Sequence, residues 1–184
     1  MKTPGPALLL IDIQTGLDDP KFGQRNNADA EFNIARLLAC WRRQGSAVIH
    51  VQHHSQNAGS PLRPDQPGVK FKPEAMPIAG EPVFVKTVNS AFIGTELERY
   101  LRDRGIGELV IIGLTTDHCV STTTRMAGNL GFSVTLVDDA TATFERTDHR
   151  GRYFSADQMH AANLASLNDE FCRVLSTDEV LSSP

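Results

Sequence analysis

Short apolar runs alternate with amphipathic stretches along nearly the whole chain, and this alternation restricts the possible folds more than any other feature. The runs are ALLLI at 7–11, AVIHV at 47–51, VFVK at 83–86, LVIIG at 109–113, VTLV at 134–137 and CRVL at 172–175. Unbroken Val, Ile and Leu over four or five residues fits strands covered on both faces. Between them, ADAEFNIARLLACWRRQG places Phe32, Ala35, Leu38 and Ala39 on one helical face and stops at Gly45. TELERYLRDRG opens with Thr95 and Glu98 at capping-box spacing, and SADQMHAANLASLND repeats that spacing with Ser155 and Gln158. A further helix, CVSTTTRMAGNLG, runs from Cys119 to Gly131. Strands alternating with helices predict an α/β fold, a parallel sheet with helices on both faces.

The 184 residues suit one domain, 1–184, without internal repeats. A chain of this size buries roughly 70% of its unfolded surface and needs no disulfide or metal staple. Net charge is −4 and no basic block occurs, which argues against nucleic acid or an anionic membrane as partner. MKTPGPALLLIDIQ carries a Lys and a short apolar run, but the run is too short for a signal core and is broken by Asp12. No stretch approaches the roughly 20 apolar residues of a membrane span. The expected location is cytoplasmic. Cys40, Cys119 and Cys172 are odd in number and widely spaced, so neither a disulfide framework nor a CxxC site is expected.

Ser55–Pro82 breaks the rhythm with six prolines and no clear period. Proline fixes φ and removes a donor, which predicts an ordered, irregular excursion. Val69 and Phe71 within it suit a packed loop that walls a pocket or an interface.

In an open parallel sheet, ligands bind beyond the carboxyl ends of the strands. Asp12 follows the first strand, Lys86 ends the third, and Cys119 follows the fourth in GLTTDHC. Singly each has an inert explanation: a turn cap, a solvated strand end, a small core hydrophobe. Together they place an acid, a base and a thiol on one rim. A helix N-terminus and a lysine would both lower the thiol pKa, and a carboxylate would move protons. Cys40 and Cys172, in the first helix and the last strand, read as core.

The residues then resemble a known family. LLLIDIQ near the start, the block from Val85 to Phe144, and SADQMHAANLASLNDEFCRVLST at the end are similar to isochorismatase-like cysteine hydrolases, the superfamily of nicotinamidase and N-carbamoylsarcosine amidase. The resemblance implies a three-layer α/β/α fold, Rossmann-like, with six parallel strands in the order 3-2-1-4-5-6. It implies a catalytic triad, here Asp12, Lys86 and Cys119, and a cis peptide at Leu114–Thr115. The backbone N–H groups of Thr115 and Cys119 would then form an oxyanion hole. The implied chemistry is hydrolysis of a small-molecule amide through a thioester. Lys86 lies two strands from Asp12, roughly 10 Å, so its side chain must reach inward.

Leu17, His53, Phe92 and His118 are candidate pocket residues, with Phe22 a further possibility in the Thr15–Asn27 loop. Asp138 and Asp139 read as turn and capping residues. Nicotinamidases bind metal through Asp-x-His; HVQHHSQ lacks that acid, and strand alternation puts His50 and His54 on one face and His53 on the other. No metal is expected, with His53 in the pocket and His54 exposed. No GxGxxG or Walker loop supports a nucleotide cofactor, so no cofactor is expected. Two other readings stand beside the amidase: an ether hydrolase of the isochorismatase type, which lacks the cysteine, and a non-enzymatic thiol sensor, which keeps a resolving cysteine nearby. The family tends to assemble, so a homodimer or homotetramer is expected.

Overall fold

The computed structural model describes residues 5–182; Lys2 of the N-terminal stretch lies outside them. Six parallel strands form the central sheet: β1 (Ala7–Ile11), β2 (Val48–His53), β3 (Val83–Lys86), β4 (Glu108–Leu114), β5 (Ser133–Ala142) and β8 (Arg173–Leu175). Their order is β3-β2-β1-β4-β5-β8, the expected order with a small antiparallel hairpin, β6 (Arg146–Thr147) and β7 (Tyr153–Phe154), inserted before the last strand. The described residues form five α-helices: α1 (Ala30–Gln44), α2 (Leu97–Asp103), α3 (Ser121–Asn129), α4 (Ala156–Leu167) and α5 (Thr177–Ser182).

Strand alternation sorts the core into two layers. Leu9 and Ile11 of β1 pack with Ile49, Val51, Leu109 and Ile111, and on that face lie residues of α2, α3 and α4. Leu8 and Leu10 point the other way and pack against Ile34, Leu37, Leu38 and Trp41 of α1. Both faces of β1 are buried, which is why its sequence is apolar without interruption.

Several local expectations need correction. The buried stripe of α1 is Ile34, Leu37, Leu38 and Trp41, while Phe32 and Ala39 are exposed. The true stripe is one helical face rotated from the expected one, and the larger apolar area decides it. Ser155 and Gln158 do form a reciprocal capping box. Thr95 and Glu98 do not: α2 begins at Leu97, and Thr95 Oγ1 accepts from Leu97 N at 3.3 Å while donating to Ala91 O at 2.6 Å. β5 continues through Asp138 and Asp139, so these are strand residues; Asp139 Oδ1 accepts from Thr177 N and Oγ1 at the start of α5. Cys172 precedes β8 rather than opening it.

Two features shape the carboxyl edge of the sheet. Gly113 has φ 122° and pairs with Ile11; a Cβ there would lie 2.1 Å from Ile11 O. Only glycine allows β1 and β4 to approach so closely. The Ser55–Pro82 excursion is anchored as well: Phe71 bridges Gln14, and the buried Lys72 ammonium contacts Asp18 at 2.5 Å and Glu31 at 2.6 Å. Glu31 also receives Arg25 at 2.6 Å. Burial raises the Glu31 pKa, but Arg25 and Lys72 outweigh it and hold the carboxyl down to about 2.

Because the folded pKa of Glu31 is depressed, its stabilisation is fully present above the unfolded value near 4.5 and is lost as pH falls towards 2. Glu31→Gln should cost about 2 kcal/mol at pH 7, after allowance for solvent screening, and much less at pH 2.5. Urea unfolding of both proteins at the two pH values measures this; an equal loss at both would contradict it.

Candidate active site

Asp12 follows β1 directly, with φ 49°. Aspartate tolerates this left-handed conformation better than most residues. Its N–H donates to Val51 O at 3.1 Å and its carbonyl accepts from Gln14 N at 2.8 Å, turning the chain where the strand stops. Lys86 is the last residue of β3, in register with His53. Cys119 sits in a wide π-type turn, Thr116–Val120, which follows β4 and leads into α3 at Ser121. Thus the thiol lies two residues before the α-helix proper instead of opening it. The Leu114–Thr115 peptide is cis.

Lys86 crosses β2 to reach the centre. Its Nζ donates to Asp12 Oδ2 at 2.6 Å, His53 Nδ1 at 3.2 Å and Cys119 Sγ at 3.2 Å. Three N–H groups meet three acceptors, in a place where neither charge of the ion pair touches solvent appreciably. His53 can accept on Nδ1 only with its proton on Nε2. Burial, then the Lys86 charge, hold the His53 pKa below its ordinary value, which keeps the ring neutral.

The expectation of an acidic thiol is overturned. Burial pushes the Cys119 thiol up, the Asp12 charge adds to the rise, and Lys86 offsets only part. Asp12, 2.6 Å from the ammonium, already balances it, so the sulfur faces a neutral pair in a poorly solvated pocket. The resting form is the protonated thiol. A carboxylate oxygen of Asp12, a ring nitrogen of His53 and the sulfur all lie within 4.8 Å of one another. Asp12 Oδ1 is buried without a partner, which leaves it open to the thiol proton.

This trio is also the one set of ligand-type side chains gathered closely enough for a metal among the described residues. The Lys86 ammonium contacts all three and takes the position a bound cation would need. The three histidines share no centre: His50 bonds Glu81 at 2.8 Å, His53 bonds Lys86, and His54 bonds Gln52 at 3.1 Å. His54 is half-buried rather than exposed.

The site opens into a cleft of about 200 Å³. Leu17, Phe22, Leu62, Leu114 and Phe144 supply apolar wall, and Ser60, Asn89, His118 and Arg146 supply polar groups. Leu17, His53 and His118 are therefore where the sequence places them. Phe92 is not: it is buried in the core, stacked on Phe132 with centroids 5.8 Å apart. A larger cavity of about 320 Å³ lies at the amino ends of β4 and β5, near Trp41 and Leu181, and holds none of the triad residues.

Three supporting groups were not anticipated. Gln14 is fully buried; its Nε2 donates to His53 O at 3.1 Å and Val69 O at 2.8 Å, and its Oε1 accepts from His53 N at 2.8 Å. It pins the end of β2 to the long loop. Its position two residues after Asp12 was the available signal. Asp117 accepts from Thr143 Oγ1 at 2.5 Å and Arg146 Nε at 2.9 Å. Burial raises its pKa, but the Thr143 bond and the charges of His118 and Arg146 prevail, and the carboxyl lies below its usual range. His160 on α4 meets Thr116 Oγ1 at 2.9 Å, beside Thr115, and burial keeps its ring neutral. Neither contact has a local sequence signature.

The isochorismatase domain model matches residues 6–179. The chain is 47% identical to the uncharacterized isochorismatase family protein YrdC of Bacillus subtilis, over 96% of this chain and 94% of that protein. A crystal structure of a putative hydrolase of the isochorismatase family from Chromobacterium violaceum superposes with TM-score 0.94 at 49% identity, covering 99% of this chain and 94% of that one. Ureidoacrylate amidohydrolase RutB of Variovorax paradoxus is 28% identical, over 73% of this chain and 68% of that protein.

Asp12→Asn removes the charge that helps keep the thiol protonated and leaves Lys86 uncompensated beside the sulfur. Alkylation of Cys119 by iodoacetamide at pH 7.5 should then accelerate about tenfold or more. Peptide mapping must show Cys172 still protected, since its burial reports an intact fold. An unchanged or slower rate with Cys172 protected would remove Asp12 from control of the thiol.

Proposed function

We propose that this chain, which belongs to the isochorismatase family, is a cysteine hydrolase that cleaves a carbon–nitrogen bond of a small amide through a thioester. One observation carries the reading: a single buried ammonium touches both the Asp12 carboxylate and the Cys119 sulfur at the floor of a cleft. The name of the amidohydrolase relative is consistent with the bond class.

Substrate enters with its acyl carbon over Cys119. Asp12 takes the thiol proton, and Lys86, 3.2 Å away, stabilises the thiolate as it forms. The raised thiol pKa makes this transfer uphill at rest, so sulfur becomes strongly nucleophilic only when substrate is present to be attacked. Sulfur bonds to the acyl carbon, and the carbonyl oxygen gains negative charge. The N–H groups of Thr115 and Cys119 receive that charge; losing one such donor costs about 3 kcal/mol of barrier. The intermediate collapses, the carbon–nitrogen bond breaks, and Asp12 returns its proton to the departing ammonia or amine. Water then gives a proton to Asp12, adds to the thioester and releases the acid, and Cys119 regains its proton.

The alternative of a thiol sensor fits less well, because sensors use an exposed thiolate and this thiol is shielded and protonated. Cys119 also separates the chain from an ether hydrolase that works without a cysteine. Release of ammonia from a panel of primary amides should be detectable with the wild-type protein and fall at least about 1000-fold in Cys119→Ala. Turnover that survives in Cys119→Ala would refute the nucleophile.

Self-association belongs to the same reading. Val83 and Val85 on the edge strand β3, with Val88 and Ile93 beyond it, are 42%, 43%, 41% and 51% exposed. Exposed apolar side chains gathered at one edge of the sheet suit cover by another protein surface. Light scattering should give a multiple of 20.1 kDa; a mass equal to one chain at micromolar concentration would overturn this part.

A further inference from the structure

Asn89 lines the same cleft as Cys119, and the hydrolytic steps give it no task. It lies just past the end of β3 and is exposed. Its Oδ1 faces the nucleophile: the Cys119 thiol donates to it at 3.8 Å. That is a weak bond from a weak donor, easily replaced by a better one. Its Nδ2 has no hydrogen bond with any described residue.

The main chain around Asn89 is held without help from its side chain. Thr123, fully buried on α3, accepts from Ala91 N at 3.1 Å and donates to Asn89 O at 3.5 Å. α3 begins two residues after Cys119. The asparagine amide and the sulfur are therefore carried on one packed unit.

A primary carboxamide brings one carbonyl oxygen and two N–H groups into the cleft. In the mechanism above the oxygen goes to the N–H groups of Thr115 and Cys119. The substrate N–H groups then need acceptors, because a buried donor left without one costs about 1–3 kcal/mol. On the cleft lining, only Asp12 and Asn89 carry a side-chain carboxylate or carbonyl oxygen. Both meet the sulfur, the Asp12 oxygen within 4.8 Å and Asn89 Oδ1 at 3.8 Å. The other acceptors are in use: His53 Nδ1 receives Lys86, and Ser60 Oγ receives Leu62 N.

We propose that Asn89 is a specificity residue whose Oδ1 accepts an N–H of the scissile nitrogen, so that the site prefers amides with a free N–H to esters and N,N-disubstituted amides. The nature of the reacting end rests on the amide-hydrolase reading above; the N–H contact is testable without it. At rest the thiol proton occupies Oδ1. When that proton passes to Asp12, Oδ1 is vacated for the substrate N–H. An ester has no N–H to fill it. The same bond fixes one N–H, so the nitrogen lone pair can turn to the proton that Asp12 returns as the carbon–nitrogen bond breaks. An Asn89 that only oriented the thiol would act on amides and esters alike.

Butanamide and methyl butanoate share one acyl group and give the same thioester, so the ratio of their kcat/KM values cancels effects on the nucleophile. Asn89→Ala should lower the amide-over-ester ratio about tenfold. Asn89→Asp keeps an acceptor oxygen without the NH2 group and should hold the ratio within about threefold of wild type. An unchanged ratio in Asn89→Ala, or an equal fall in both variants, overturns the contact and leaves the hydrolase standing. Should neither compound turn over, NMR titration of Cys119→Ala with butanamide and N,N-dimethylbutanamide decides. Tighter binding of butanamide, lost when Asn89→Ala is added, supports the contact although the hydrolase reading has failed. Equal binding, or a preference that survives Asn89→Ala, overturns it.

Discussion

A lysine ammonium enclosed between a carboxylate and a sulfur sets the terms for everything around it. Burying two charges is costly, and removing one partner of such a pair typically costs about 3–5 kcal/mol. The pair persists here because each N–H of Lys86 has an acceptor and the separation from Asp12 is 2.6 Å. Its chemical consequence is that the thiol rests protonated. In the mechanism proposed above, Asp12 serves as the proton acceptor and the ammonium as the counter-charge that makes acceptance possible. A strongly acidic resting thiol would be open to oxidation; this one is shielded by the same pair that activates it.

The scaffold exists to hold that pair in register. β1 carries Asp12 at the middle of the sheet and has β2 and β4 as neighbours. Gly113 lets β4 close against β1 where a side chain would collide, and Gln14 fastens the end of β2 to the long loop with three hydrogen bonds. Lys72 secures that loop to α1 through Glu31. The loop thereby delivers Ser60 and Leu62 to the cleft as fixed wall. On the far side, Asp117 and His160 hold the turn that carries Cys119.

How far this was legible in the sequence depended on the range of the forces involved. Asp12, Lys86 and Cys119 could be found because strand ends are readable from apolar runs, and ligands gather at strand ends. The Ser155 cap was readable because its partner Gln158 is three residues away. Thr95 has the same spacing, but the helix starts two residues later, at Leu97, so its Oγ1 accepts from Leu97 N instead. Phe32 was misplaced for a related reason: periodicity says that a face is apolar, not which neighbour will cover it. Phe92 went to Phe132, forty residues away in the chain.

Sequence alone determined the strand and helix alternation, the strand-end positions of the acid, the base and the thiol, and, by resemblance, the family and its strand order. These follow from local periodicity and from motifs read along one chain. Tertiary structure alone decided that Lys86 crosses a strand to meet Asp12, that the thiol rests protonated, and that Arg146 enters the cleft from a hairpin. Charge and burial act through space over a few ångströms, between residues 74 apart in the chain for Lys86 and Asp12 and 29 apart for Arg146 and Asp117. Such distances are created only when the sheet closes, so no local pattern of residues can contain them.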